Sequence, residues 1–184
     1  MPMMNARTKR GYTLVELIVS LGLFSMVMVV VTGAYLTLIS LDRQSRASNQ
    51  LSATLAFAVE SMARSMRTGT TYMCNQSSSS PNCSSGGTSI AFVDAQGQTV
   101  TYLLKSNGSI GQCTGGVCTS ATAVSLTDPR ISITSLKFYV VGVGATDRIQ
   151  PQVTFALKGT MTTDAGETTN FAVQTSATQR YLEI

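Results

Sequence analysis

Residues 17–41 form a run of 25 consecutive positions without Asp, Glu, Lys or Arg in a chain of 184. As an α-helix, at about 1.5 Å per residue, this run reaches roughly 37 Å, enough to cross a hydrocarbon core of about 30 Å. It is the one span the sequence contains. Glu16 stands directly before it and Asp42 directly after it, and a short basic leader with Arg7, Lys9 and Arg10 lies behind Gly11. Lys and Arg beside a span stay on the cytoplasmic side, so everything after residue 41 is expected outside the cytoplasm. A secretory signal peptide has its small-residue cleavage site after the apolar region; here Gly11 precedes the run, which would therefore be retained. A carboxylate within a span costs roughly 2.5 to 3.5 kcal/mol on insertion scales, so Glu16 needs a partner for its charge.

The helical pattern continues past the apolar run. Residues 42–67 contain neither Gly nor Pro. Leu51, Leu55, Val59, Met62 and Met66 recur at intervals of three and four, which predicts an apolar stripe on one face in need of a covering surface. Asp42 with Arg46 and Glu60 with Arg64 stand at i,i+4 as solvated helix-face pairs. Gly69 after the last-turn cation Arg67 is a natural stop. The expectation is one helix of about 55 residues. Gly22 and Gly33, with Ser20, Ser25, Thr32 and Thr37, lie inside the apolar half, where small residues permit close helix approach.

Beyond Gly69 the composition shifts to Ser, Thr, Asn and Gly, with an exposed loop over Ser77–Pro81 and Ser84–Gly87. Ile90–Val93 and Thr99–Leu104 flank a glycine-containing turn and read as a hairpin. Ile131–Val141 is a longer strand whose apolar parity changes, which predicts a bulge near Ser135. Val153, Phe155 and Leu157 alternate, as do Phe171 and Val173, with a turn over Asp164–Glu167 between them. Four or five antiparallel strands against the helix stripe give an α+β fold. After leader and span, what remains suffices for one domain with a modest core.

Four cysteines occur as two close pairs, Cys74 with Cys83 and Cys113 with Cys118. In an exported domain an even count in loops reads as disulfides. Three connectivities are possible and local pairing is the favoured one; the rival, a zinc site, lacks its usual Cys-x-x-Cys knuckles. No metal and no cofactor are expected. The chain has no histidine, which removes Ser-His-Asp and Cys-His nucleophile pairs and histidine metal ligands. Acids outside the span stand singly except Asp164 and Glu167, where a calcium-binding turn is the alternative to two solvent-facing carboxylates. The Gly115-Gly116 pair lacks the Lys-Ser/Thr of a phosphate-binding loop. Catalysis is not expected. Removing Arg7, Lys9 and Arg10 with the leader lowers the formal charge from +4 to +1. The basic balance therefore says little about nucleic acid.

The segment Arg10-Gly11-Tyr12-Thr13-Leu14-Val15-Glu16-Leu17 resembles the processing site of type IV prepilins and of type II secretion pseudopilins. It joins a basic leader, a small residue at the cut, a polar second residue and a glutamate five residues past the cut, in that order. The resemblance implies that a prepilin peptidase cleaves between Gly11 and Tyr12, that the new Tyr12 amine is methylated, and that Glu16 is an assembly contact for such an amine. Tyr12 departs from the commoner Phe or Met but remains aromatic. On this reading residues 1–11 are a leader that is removed, 12–41 the membrane and filament-core half of the helix, 42–68 its amphipathic half, and 69–184 a β head. The implied fold is type IV pilin-like, a long helix on a small antiparallel sheet. The segment 171–180 resembles the last strand of minor pilins and J-type pseudopilins, and reads equally as a generic amphipathic edge strand. The C-terminal tail has no cysteine, unlike major pilins whose last loop is closed by a disulfide.

The expected function is structural: a minor pilin or pseudopilin of a type IV pilus-like filament or type II secretion pseudopilus, anchored in the inner membrane before assembly with its head outside. Its partners would be the peptidase and other pilin subunits. The alternative is a tip or competence pilin whose head binds DNA or a surface ligand. That reading predicts a basic stripe with exposed aromatics, whereas the head offers scattered Lys105, Arg130, Lys137, Arg148, Lys158 and Arg180.

Overall fold

The computed structural model of the protein describes residues 11–76, 82–144, 149–164 and 166–180. The leader cations Arg7, Lys9 and Arg10, the Ser77–Pro81 loop, Asp147, Arg148 and Glu183 lie outside the described residues. Among the described residues the chain forms one helix, α1 (Leu14–Thr68, 55 residues), followed by eight strands. It divides into two compact units, one up to Arg43 and one from Gln44.

In the first unit the described residues from Leu14 onward are helical. Its apolar side chains are exposed, among them Leu17 at 61 % and Val29 at 74 %. The helix is long and apolar enough to cross a membrane, and none of its most apolar window is buried within the protein. Its Ser and Thr hydroxyls do not disturb that surface. Ser20, Ser25, Thr32 and Thr37 each donate to the carbonyl four residues back, at 2.7, 2.8, 2.8 and 3.1 Å. These four donors are thus satisfied inside the helix, as hydrocarbon requires. A methyl group built on Gly22 or Gly33 meets nothing within 4 Å.

In the second unit the helix buries the predicted stripe: Leu51, Leu55, Val59, Met62 and Met66, joined by Ala58 and Ala63. Glu60 and Arg64 pair at 4.0 Å on the opposite, exposed face. The strands are β1 (Thr70–Cys74), β2 (Ser89–Val93), β3 (Thr99–Leu104), β4 (Ile110–Thr114), β5 (Val124–Ser125), β6 (Ile131–Val141), β7 (Gln152–Thr162) and β8 (Thr168–Thr178). They form two antiparallel sheets, β1-β2-β3-β4-β5 and β6-β7-β8. Side chains of the helix stripe, the first sheet and the second sheet share one core cluster. The α+β class and the helix-on-sheet layering agree with the sequence, but the strand count of four or five is too low and the single small sheet is in fact two. The unanticipated β1, β4 and β5 are short, and polar or glycine-rich, with no long apolar alternation to announce them.

The β6 bulge lies between Ile133 and Ser135, where the apolar parity changes. Past it Leu136, Phe138 and Val140 are buried while Lys137, Tyr139 and Val141 are exposed. Gly69 ends the helix for a reason other than left-handed backbone. Its φ is not positive, and a Cβ there would run into the Phe92 ring. Tyr72 completes the helix end. Its buried hydroxyl bonds the carbonyls of Met66 and Gly69, at the point where the last helical turn leaves acceptors without an intrahelical partner. Tyr72, Phe92 and Tyr102 then stack in a tilted series with centroids 6.0 and 5.9 Å apart.

Met62 is 0 % exposed and Phe57 77 % exposed on the same helix. Met62→Ala should lower stability by about 2 to 5 kcal/mol, whereas Phe57→Ala should change it by less than about 0.5 kcal/mol. Denaturant unfolding of the detergent-solubilised protein, followed by Tyr fluorescence, checks both.

Candidate functional site

The motif segment lies at the start of α1. Thr13 caps the helix: the Glu16 N–H donates to Thr13 Oγ1 at 3.3 Å, and the Leu17 N–H to the Thr13 carbonyl at 3.2 Å. Glu16 therefore occupies the third helical position, where the partial positive charge of the helix N-terminus favours a carboxylate. The Thr-x-x-Glu spacing of a capping box carries this arrangement in the sequence, a signal the processing motif overshadows. Gly11 and Tyr12 precede the helix, with Tyr12 84 % exposed. Helix geometry extrapolated back to Tyr12 would set it one turn from Glu16 on the same face. In the full-length chain the helix begins only at Leu14, so Tyr12 is not part of that turn. Gly11 has open space around it, and a methyl group added there would meet nothing within 4 Å.

The four cysteines pair locally, Cys74 with Cys83 and Cys113 with Cys118, at Cα separations of 5.7 and 5.6 Å. The bridges are coupled through one side chain that sequence reading missed. Gln76 donates from Nε2 to the Cys118 carbonyl and accepts the Cys118 N–H at Oε1, both at 3.0 Å. To reach it, Asn75 and Gln76 adopt left-handed backbone, φ +50° and +58°, which costs a non-glycine residue about 1–2 kcal/mol. Asn75 offsets part of that cost locally, its Oδ1 accepting the N–H of Thr88 at 2.8 Å and that of Ser89 at 3.3 Å. Asn after the cysteine, a residue that tolerates this conformation, is the trace left in the sequence.

Three clefts surround the Cys113–Cys118 loop. One of about 600 Å³ is bounded by Cys113, Val117 and Val124, one of about 420 Å³ by Gln76, Leu103 and Ser120, and one of about 200 Å³ by Met73, Thr101 and Val117. None of their lining residues is charged. Val117 projects between two of them, 82 % exposed. Among the described residues no group of three or more His, Cys, Asp or Glu side chains is placed to hold a metal ion.

Two of the head cations are engaged within the chain. Lys105 Nζ donates to the Ala123 carbonyl. Arg130 is clasped by two carboxylates, Asp128 at 3.0 Å and Asp164 at 3.1 Å. Asp164, one half of the candidate calcium turn, is thereby committed to an arginine, while Glu167 contributes its carbonyl to the Thr163 N–H at 2.9 Å. Arg130 holds the Asp128 carboxyl below its usual pKa, chiefly through hydrogen bonds donated by its guanidinium and then by its backbone N–H. Hydrogen bonds to Asp128 and Asp164 raise Arg130 further. Burial pushes the Tyr102 phenol up, partly countered by its hydrogen bond with Ser65.

Because the folded state depresses Asp128, its contribution to stability is present above the ordinary carboxylate pKa and disappears as the pH falls through the depressed one. Arg130→Gln should therefore melt below wild type at neutral pH. The difference should close once the medium is acidic enough to protonate Asp128 in the wild type. Paired thermal melts across the acid range test the sign.

A family model described as the prokaryotic N-terminal methylation motif matches residues 6–32. No curated protein sequence and no solved structure matches the chain. The matched stretch covers the end of the basic leader, Gly11, Tyr12, Glu16 and the first half of the apolar run, and it is followed by a helix packed on antiparallel sheets. The motif implies handling by a prepilin peptidase and assembly with other pilins, and the apolar helix is compatible with a single-pass anchor. In its N-terminal motif and in its long helix packed on antiparallel sheets, the chain is similar to type IV pilins.

Proposed function

We propose that the protein is a minor pilin or pseudopilin, a structural subunit of a type IV pilus-like filament or of a type II secretion pseudopilus. A methylation motif that opens directly into a helix half whose apolar window is unburied among the described residues is the observation that carries this reading. Such a surface is stable in lipid, and equally against the same helix half of neighbouring subunits. In this scheme residues 1–11 leave with the peptidase, Tyr12 gains a methylated amine, residues 12–41 hold the membrane and then the filament core, and the chain from 42 onward carries the head outside the cytoplasm.

The peptidase must fit a small side chain beside the scissile bond. Gly11→Ala is then tolerated, whereas Gly11→Lys or Gly11→Trp blocks maturation. Mass spectrometry of the membrane form reads this directly. A mature chain beginning at methyl-Tyr12 is expected, and an intact Met1 terminus in cells that have the peptidase overturns the processing step.

Glu16 supplies the one acid before the long uncharged run. Paired with the amine of a neighbouring subunit, it makes charge satisfaction in the apolar core depend on having that neighbour. Removing one member of a buried pair typically costs about 3 to 5 kcal/mol. Glu16→Ala should still insert in the membrane and should be lost from sheared fibres; immunoblots showing wild-type incorporation would remove Glu16 from the assembly contacts.

A further inference from the structure

The two sheets differ in how their edges are closed. In the first sheet the edge strands are β1, five residues long and irregular in register, and β5, only two residues long. In the second sheet the β6 edge is covered by the segment held by the Cys74–Cys83 bridge. Cys83 N–H donates to the Val140 carbonyl at 2.9 Å, and Gly87 exchanges hydrogen bonds with Phe138 at 2.7 and 2.9 Å. The remaining edge, β8, is eleven residues long, with an unbroken register to β7 and no bulge. Its sequence, TTNFAVQTSAT, has no charge and no proline. Exposed sheet edges are normally blunted by charge, proline, bulges or shortness, because their unpaired backbone groups template another strand. Strand β8 uses none of these devices.

The hydrogen bonds at the two ends of the β7–β8 ladder fix which groups face outward. The Thr163 N–H donates to the Glu167 carbonyl at 2.9 Å, and the Gln179 N–H to the Pro151 carbonyl at 2.9 Å. Pro151 has no N–H to return, and Gln150 Nε2 supplies that donor to the Gln179 carbonyl. Both pairs lie in the register of the ladder, so odd-numbered β8 residues bond inward to β7 and even-numbered ones point their N–H and C=O away. The free edge therefore presents Thr168, Asn170, Ala172, Gln174, Ser176 and Thr178, all exposed. Among the described residues no backbone hydrogen bond reaches these outward groups.

We propose that this edge is a homotypic pairing surface, on which a second copy of the chain adds its own β8 antiparallel to form a continuous six-stranded sheet. A two-fold axis at Val173, the middle of the strand, sets Ala172 opposite the second copy's Gln174, Asn170 opposite Ser176 and Thr168 opposite Thr178. Each facing pair belongs to the outward set, so every free edge group of the strand finds a partner. The charges nearest the edge fall at its two ends with opposite sign: Glu167 stands opposite Gln179 of the other copy, one residue from Arg180. A strand meeting its own reverse therefore brings no like charges together. Val173 faces its own copy on the core side, and Phe171 lies opposite Thr175. Both Phe171 and Val173 are only half-buried against the core in the single chain, so pairing also covers apolar surface.

This inference rests on the sheet and not on filament assembly, and it is tested on the membrane-anchored full-length chain. Two differently tagged copies are co-expressed, one Ala172→Cys and the other Gln174→Cys. Their Cα atoms would lie about 5.5 Å apart across a hydrogen-bonded pair, within disulfide reach. The native cysteines are already paired, so they offer no competing thiol. Mild oxidation should give a dimer band carrying both tags. Combining Gln174→Cys with Thr154→Cys, on the central strand, should give none. A second facing pair, Asn170→Cys with Ser176→Cys, should crosslink as the first does. Adding Ala172→Pro to both copies of that pair removes an outward N–H without touching the β7 ladder, and should abolish the crosslink. Limited proteolysis verifies that each variant head is folded. Absence of the mixed-tag dimer from folded variants overturns the proposal, as does crosslinking of the edge cysteines solely to a different protein.

Discussion

The structure depends on one helix face made by seven residues between Leu51 and Met66. Helices of this kind draw most of their stability from burying an apolar side, since propensity alone contributes little per residue. Here that side meets residues of both sheets in a single cluster, so the main core of each sheet includes the helix. Met62 and Met66, fully buried, suit the position because an unbranched thioether chain fills the irregular space between two separate sheets. Tyr72, which binds the carbonyls at the helix end, extends the same dependence to the first strand.

How much of this the sequence reveals depends on the range of the interaction involved. The helix is legible throughout, because its apolar run is unbroken by charge and its stripe repeats over several turns with no Gly or Pro to interrupt it. The long strands β6, β7 and β8 are legible by alternation, and even the bulge before Ser135 shows as a change of parity. Strands β1, β4 and β5 are not, since pairing with neighbours distant in sequence makes strands of stretches such as Thr70–Cys74 or Ile110–Thr114 that have little pattern of their own. The methylation motif over residues 6–32 is legible because it is a local pattern. Gln76 is not, because its role is a contact 42 residues away with Cys118.

Part of the left-handed backbone of the head gathers at the two disulfides. Asn75 and Gln76 are left-handed beside one disulfide, and Gly115 and Gly116 are left-handed within the other loop. Gln76 ties the two. At non-glycine residues such as Asn75 and Gln76 these conformations persist only where surrounding bonds over-determine them, and here the surrounding bonds include two covalent ones. The cysteines thus do more than shorten loops: they hold a projecting valine in a fixed place between two clefts.

The uncharged lining of the clefts beside that loop has a consequence for any contact made there. Attraction between ionic groups on a surface weakens as dissolved salt gathers around them, over a distance of about 8 Å at physiological ionic strength. The clefts beside Val117 contain only amide, hydroxyl, thioether, disulfide and aliphatic groups. Association through them would keep its strength from fresh water to brine, an independence that a head built on lysine and aspartate pairs would not possess.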